Sequence, residues 1–320
     1  MNTKNKIIAL IGPTASGKTG LAVKLARHFN GEIISADSRQ VYRFMDIGTG
    51  KDLSEYEYTE KGKRRKVPYH LIDVVHPNTV FDLGKFKRRA EQAIEEILRK
   101  GKLPIIAGGT WLYAEALVAD YNLCTAKANK ELRILLEKKS VKQLLVQLKK
   151  LDMKKFLSLN DSERGNKQHL VRYVEIAYDQ KNNQTGKISE ANKKHILSVR
   201  NEFLVLGIAH PREEIKARIW TRLYERLEKE DMIGEVERLH KEQKVSWKRL
   251  EGFGLEYKFI ALYLQKKLSY EEMVQKLYIA ICQFSKRQMS WYRRWERQGR
   301  EIVWVESIEE AEKLVKNFLG

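Results

Sequence analysis

The chain has 320 residues, 42% of them hydrophobic, which suits about two domains or one core carrying a large insertion. Lys and Arg number 61 against 42 for Asp and Glu, and the net charge of +19 points to a polyanionic partner, nucleic acid ahead of a membrane surface. Only 5 prolines and no low-complexity tract argue against long disordered regions, and Cys124 and Cys282 form neither a metal-spaced set nor a disulfide framework.

Met1–Lys6 runs straight into the short apolar segment Ile7–Ile11, too short for the core of a signal peptide, and no later stretch is apolar enough to span a bilayer. The expected setting is a reducing cytoplasm, with no membrane association and no obligate protein partner evident. Ile7–Ile11 itself reads as a buried parallel strand. Gly12-Pro13-Thr14-Ala15-Ser16-Gly17-Lys18-Thr19 follows and fits G-x-x-x-x-G-K-[ST]. Leu21, Leu25 and Phe29 then recur at helical spacing, with Val23 and Ala26 widening the face. Strand, glycine-rich turn and helix together make a phosphate site. The glycines let backbone N–H groups curl around phosphate oxygens, and the new helix aims its N-terminal dipole at the same anion. Lys18 adds a positive charge and Thr19 a hydroxyl able to ligate Mg²⁺.

Glu32–Asp37 reads as a second strand ending in polar residues, and ligands in open α/β sheets collect at such strand ends. That puts Asp37, with Ser38, Arg39 and Gln40 after it, near the phosphate loop; on position alone a helix N-cap is an equal reading for Asp37. Asp46–Lys51 reads as a loop, Lys61–Lys66 as a solvated basic loop able to touch phosphates, and Tyr69–Val74 as a strand whose Asp73 could imitate the Mg²⁺-holding carboxylate of P-loop NTPases. Asp82 caps a long amphipathic helix through Leu98, stopped by Gly101. Leu103–Ala107 is another strand, but it ends in Gly108-Gly109-Thr110 where an ATP-hydrolysing enzyme usually carries an acid. Those glycines would let a substrate approach the backbone closely.

The character then changes. Lysines crowd residues 127–155, and Leu135, Leu136, Leu144, Leu145 and Leu148 follow helical spacing, so residues 121–199 read as a helical, basic insertion between a core made of 1–120 and 200–320. The core resumes with the strand Phe203–Ile208 and a long helix from Pro211 that carries Arg218 and Arg222 on one face. A helix pair covers Leu255–Trp295 and ends in Ser285–Trp295, where cations interleave with aromatics. That pattern suits RNA, phosphates taking the charge and unstacked bases the rings, although the tryptophans could equally anchor a core. A last strand near Glu301–Val305 and a helix from Ile308 to Phe318 close an α/β fold: a P-loop NTPase-like parallel sheet core with a helical insertion domain.

Taken together these segments resemble the tRNA dimethylallyltransferases, also called tRNA isopentenyltransferases. The matching residues are Gly12–Thr19, Ser35–Ser38, Met45–Thr49, Ala107–Tyr113, Arg212–Glu214 with Arg218 and Arg222, and Lys286-Arg287-Gln288 before Trp291, in the family's order over nearly the whole chain. The resemblance implies transfer of a dimethylallyl group from dimethylallyl diphosphate to the exocyclic amine of the adenosine just 3′ of the anticodon. The P-loop, Gly12 through Thr19, then grips the allylic diphosphate rather than ATP. Lys18, Thr14, Arg222 and Mg²⁺ near Thr19 are implied to stabilise the leaving diphosphate, with Asp37 as the base that takes the amine proton. The same matches put Asp37, Ser38, Arg39, Gln40, Thr110, Arg133 and Arg172 along the path of a tRNA anticodon stem-loop, with Lys286, Arg287 and Gln288 on its C-terminal side.

The chain departs from the family pattern in the RNA-facing half. Glu256-Tyr257-Lys258-Phe259 stands where Gly-Tyr, a basic residue and Glu or Gln are usual, and Ile281-Cys282 where Thr-Arg is usual. Asn160-Asp161-Ser162-Glu163-Arg164 keeps an Asn-Asp-x-x-Arg pattern, but extra residues separate it from Arg172, so Arg164 and His169 compete for one role. Other classes stay open on these residues: an isopentenyltransferase acting on free adenine nucleotides, a P-loop small-molecule kinase, or a catalytically idle RNA-binding module.

Overall fold

A computed structural model describes residues 5–119, 129–182 and 201–320. They divide into two compact units, Met1–Tyr121 with Leu197–Gly320, and Asn122–Ile196. Cys124 lies outside the described residues, as do Met1–Lys4 and both joints to the second unit.

The first unit is built on β1 (Asn5–Ile11), β2 (Gly31–Ser35), β5 (Tyr69–His70), β6 (Leu103–Ala107), β7 (Asn201–Ile208) and β8 (Val303–Val305). Among the described residues they form one sheet in the order β5-β2-β6-β1-β7-β8, every neighbouring pair parallel. The strands are continuous apolar runs because both faces are covered. In β1, Ile7, Ala9 and Ile11 enter one core while Ile8 and Leu10 enter the other, the alternation a pleated strand imposes. The Ile8 side is packed by α1 (Lys18–His28) and α14 (Ile308–Leu319). The Ile7 side is packed by α2 (Leu83–Arg99), α3 (Trp111–Val118), α9 (Arg212–Glu228), α10 (Met232–Lys241), α11 (Trp247–Phe253), α12 (Leu255–Leu264) and α13 (Tyr270–Arg297). This is the P-loop NTPase-like α/β core that the sequence predicts.

Local chemistry sets the element ends as read. The Asp82 side chain accepts from the Lys85 N–H at 2.9 Å and starts α2, and Gly101 at φ 67 follows its end. Two readings are corrected. Tyr69–Val74 is a strand only over Tyr69–His70, because Leu71 and Asp73 turn to φ 64 and 57. The basic run Lys61–Lys66 is not a plain loop: β4 (Lys63–Lys66) pairs antiparallel with β3 (Glu57–Glu60) as an exposed hairpin.

The second unit contains α4 (Lys130–Glu137), α5 (Val141–Leu151), α6 (Met153–Ser158), α7 (Asp161–Gly165) and α8 (Lys167–Asn182). Leu136, Leu144, Leu148, Leu170 and Val174 form its core, whereas Leu135 points outward at 59% exposure. Ser140 and Asn160 start α5 and α7 with reciprocal capping boxes.

Candidate active site

The residues after β1 form the site's floor. Gly12 stands at φ 153, Gly17 at φ 85 and Ala15 at φ 63, a left-handed backbone that an alanine adopts only where the surroundings hold it. Gly12 has no alternative, since a Cβ there would stand 2.5 Å from the Ile208 carbonyl oxygen. Gly17 precedes α1 without a side-chain cap, so the first N–H groups of that helix stay available to an anion. Helix α13 clamps this loop from the other end of the chain. The Tyr292 hydroxyl donates to the Gly12 carbonyl at 2.8 Å. Gln288 accepts from the Thr14 N–H at 2.8 Å and donates to the Gly109 carbonyl at 2.7 Å.

Thr14–Thr19, Asp37, Arg222, Arg226, Glu256 and Gln288 are among the walls of one cleft. Its charges are unevenly compensated. Arg226 pairs with Asp52 at 3.2 Å and Arg39 with Glu256 at 2.7 Å. Lys18 instead donates to neutral oxygens, the Pro13 carbonyl at 2.5 Å and the Ser16 hydroxyl at 3.5 Å, and Arg222 donates to the Thr14 hydroxyl at 2.6 Å. Burial, helped by repulsion from Arg222, brings the Lys18 ammonium down to about 7, and burial with repulsion from Arg226 brings Arg222 down to about 10. Two cations short of counter-charge around a loop of inward N–H groups make a site for a multiply charged anion.

Asp37 follows β2. Its Oδ1 accepts from the Arg39 N–H at 2.9 Å, and a Cβ on Gly109 would come within 3.0 Å of its Oδ2, so that oxygen faces a residue without a side chain. The next residue, Ser38, donates its N–H to the Thr110 hydroxyl at 2.9 Å. Asp37 also lines a second cleft, walled by Thr110, Phe253, Phe284, Arg287 and Trp291. One carboxylate therefore touches both a cationic cleft and an aromatic one.

Gln40 also lines the cationic cleft, its side chain accepting from the Ser35 hydroxyl and donating to the Gly50 carbonyl. Other expected residues fall elsewhere. Lys286 lines a separate cavity with Pro13, Arg212 and Met289, away from Asp37. Arg218 pairs with Glu214 on the surface of α9 and does not join Arg222. Asp73 is no metal mimic, for it binds the buried Lys51 ammonium outside the cleft. In the second unit Arg133 and Arg172 both hold the buried Glu175, at 2.9 and 2.6 Å. Arg164 donates to the Leu159 and Phe156 carbonyls, while His169 packs edge-on against Tyr173. The interleaved aromatics of α13 divide: Tyr292 and Trp295 are core, and Trp291 is 43% exposed in the aromatic cleft. Gly108 is required by packing, because a Cβ there would stand 2.3 Å from the Ala36 carbonyl carbon, and it lines the cationic cleft as well.

Sequence reasoning missed Tyr292, Arg226, Asp52 and the partner of Arg39. Arg226 and Asp52 carry no local signal; Glu256 drew notice only within the irregular Glu256-Tyr257-Lys258-Phe259 stretch, and Tyr292 only within the Ser285–Trp295 run of cations and aromatics.

The family model described as IPP transferase matches residues 40–295. The chain is 42% identical to tRNA dimethylallyltransferase 1 of Syntrophus aciditrophicus over 98% of this chain and 97% of that one. It is 44% identical to tRNA dimethylallyltransferase 2 of Treponema denticola, covering 95% and 97%. The crystal structure of the full-length tRNA isopentenylpyrophosphate transferase of Bacillus halodurans aligns with a TM-score of 0.67 at 30% identity, covering 99% of this chain and 97% of that one. A eukaryotic dimethylallyltransferase captured acting on tRNA aligns with a TM-score of 0.72 at 26% identity, covering 90% of this chain and 69% of that one.

Proposed function

Because this chain belongs to the IPP transferase family, we propose that it transfers the dimethylallyl group of dimethylallyl diphosphate to the exocyclic amine of the adenosine 3′ to the anticodon in tRNA. The observation that carries this reading is the placement of Asp37 where the cationic cleft and the aromatic cleft meet. The donor's diphosphate lies on the P-loop N–H groups against Lys18, Arg222 and the Thr14 hydroxyl. The acceptor adenine, taken out of its stack, enters from the Trp291 and Phe284 side.

The amine nitrogen attacks the allylic carbon as the C–O bond breaks, and that bond's electron pair leaves with the diphosphate. Lys18 and Arg222 gain most from the charge developing on the leaving oxygen, because they lack carboxylate partners of their own. The proton lost by the nitrogen goes to Asp37 Oδ2. Phe253, Phe284 and Trp291 wall the acceptor side with apolar surface and keep water from displacing the diphosphate in place of the amine.

Mg²⁺ fits the donor set. No cluster of three His, Cys, Asp or Glu able to hold a metal occurs among the described residues. The half-buried Thr19 hydroxyl does line the phosphate cleft, and Mg²⁺ commonly takes a single protein ligand with substrate oxygens and waters completing its shell. Thr19 would hold it, and when bound it supplies charge neutralisation on the diphosphate.

We assign tRNA contacts to Ser38, Thr110 and Arg287 around the acceptor cleft, to Lys286 beyond it, and to the basic second unit with Arg133 and Arg172. The net charge of +19 supports a long phosphate-tracking surface that a free nucleotide would not need. A tRNA acceptor puts the enzyme in the cytoplasm, and no described helix is long and apolar enough to cross a membrane.

The test supplies labelled dimethylallyl diphosphate to unmodified tRNA, to an anticodon stem-loop and to AMP in parallel. Label in the two RNAs is expected. Label in AMP alone would make the acceptor wrong, and no transfer alongside ATP turnover would make the enzyme a kinase.

A further inference from the structure

The Arg39–Glu256 pair has no place in the chemistry above, yet it borders the reacting carboxylate. Glu256 is 5% exposed and its Oε2 accepts from the Arg39 guanidinium at 2.7 Å. It reaches that position through a distorted backbone: Gly254 stands at φ 75 and Leu255, which has a side chain, at φ 41. The next residue, Tyr257, is fully buried and donates to the Glu235 carboxylate at 2.8 Å. Glu235 in turn accepts from the N–H groups of Asp46, Ile47 and Gly48. The carboxylate is thus held rigidly against the cleft wall.

Arg39 is two residues from Asp37, and its own N–H already occupies Asp37 Oδ1. Burial works against the guanidinium charge, and the carboxylates that hold it up are Glu256 first and Asp37 second. Both acids compete for one cation. Among the described residues the ion pair of Arg39 is with Glu256. Without Glu256, the remaining acid able to compensate Arg39 is Asp37.

We propose that Glu256 is a positioning residue that sequesters the Arg39 guanidinium, leaving Asp37 Oδ2 unpaired in front of Gly109 and free to take the amine proton. The inference rests on the prenyl-transfer reading given above. Its role runs through Arg39, so losing Glu256 is harmful only while the Arg39 charge remains. A purely structural ion pair behaves otherwise: removing either or both partners alters stability without this dependence.

The experiment compares wild type, Glu256→Gln, and Arg39→Met/Glu256→Gln in tRNA prenylation, with thermal melting of each. For Glu256→Gln the expected kcat is lower by roughly ten- to a hundred-fold, less than the roughly 10²–10⁴ that a general base supplies, because Asp37 is hindered rather than removed. The KM for dimethylallyl diphosphate should stay within about threefold, because the P-loop is untouched. At saturating tRNA the double variant should regain kcat to within about threefold of wild type although the ion pair is still absent, any loss of the tRNA contact expected of Arg39 appearing in the KM for tRNA instead. An unchanged kcat in Glu256→Gln, or a double variant as slow as the single, overturns the proposal. Should Glu256→Gln fail to fold, Arg39→Met/Glu256→Met replaces the pair with apolar side chains; near-wild-type kcat there supports the proposal and a collapsed kcat in a folded protein overturns it. Wild type that makes no prenylated tRNA overturns the reaction reading and this inference with it, whereas active wild type with indifferent variants overturns this inference alone.

Discussion

Lys18 offers a sharp test of the anion site. Its ammonium is brought to about 7 by burial and by Arg222, so in the free enzyme at pH 8 only about one lysine in eleven carries the charge. A diphosphate on the P-loop restores the missing counter-charge, and binding should therefore draw a proton from solvent, about 0.9 per site at pH 8 if the bound lysine is fully charged. The donor does not obscure this, since the last ionisation of a phosphate ester lies near 6 and is essentially complete at pH 8. A charge-assisted contact is worth about 1.5–3 kcal/mol, and charging Lys18 one pH unit above its titration point costs about 1.4 kcal/mol. Lys18→Met is then expected to weaken donor binding by about 0–1.6 kcal/mol at pH 8 and by nearly the full 1.5–3 kcal/mol at pH 6. Calorimetry of dimethylallyl diphosphate binding in two buffers of different ionisation enthalpy reads both quantities. Wild type and Lys18→Met taking up the same number of protons at pH 8 would refute the reasoning. The same lysine has a stability signature in the free enzyme. Its folded value lies below the unfolded 10.5, so the unfolded chain binds more protons between 7 and 10.5, and this group's contribution to stability rises with pH across that window.

The two adjacent glycines should behave differently. Gly108→Ala drives a methyl into the Ala36 backbone and is expected to cost about 1–3 kcal/mol or more in urea unfolding. Gly109→Ala meets only Asp37 Oδ2 at 3.0 Å and Gln288 Nε2 at 3.4 Å, so it should fold and lose kcat. Gln288→Leu leaves the Thr14 N–H and the Gly109 carbonyl unpaired, at about 1–3 kcal/mol for each group, and should lower the unfolding midpoint and the donor affinity together. In the second unit, Arg133, Arg172 and the Asn129 N–H hold the Glu175 carboxyl below its usual range against the opposing effect of burial. That contribution is present above the unfolded value of 4.5 and is lost as pH falls through the lower folded value, so melting of the full chain from pH 7 to 3 should show an acid loss that Glu175→Gln lacks. With both arginines about one-third solvent-exposed, its size at neutral pH should be about 1–2 kcal/mol rather than that of a dry ion pair.

What was legible in the sequence is what is local. Strand, glycine turn and helix lie within Ile7–Phe29, the Asp82 cap acts three residues away at Lys85, and the leucine spacing of α5 is a property of α5. Tyr69–Val74 misled because its apolar composition matches a strand while Leu71 and Asp73 take left-handed backbone for turns that pair Asp73 with Lys51. The site's cross-links were not legible, since Thr14 meets Gln288 across 274 positions and Gly12 meets Tyr292 across 280. The resemblance supplied Gln288 as an RNA contact; that its side chain also ties the P-loop to Gly109, and lines both clefts, had no signal in the sequence. Gly108 and Gly109 look alike in sequence and differ only in what stands opposite, a backbone in one case and the Asp37 carboxylate in the other.

The central claim is that Asp37 takes the proton of the amine without holding the donor. Single-turnover transfer from labelled dimethylallyl diphosphate to tRNA by Asp37→Ala, with the donor dissociation constant measured on the same protein, tests it most directly. The account predicts a donor Kd within about threefold of wild type and a transfer rate lower by roughly 10²–10⁴. Transfer at near the wild-type rate, or a loss explained wholly by weakened donor binding, would contradict it.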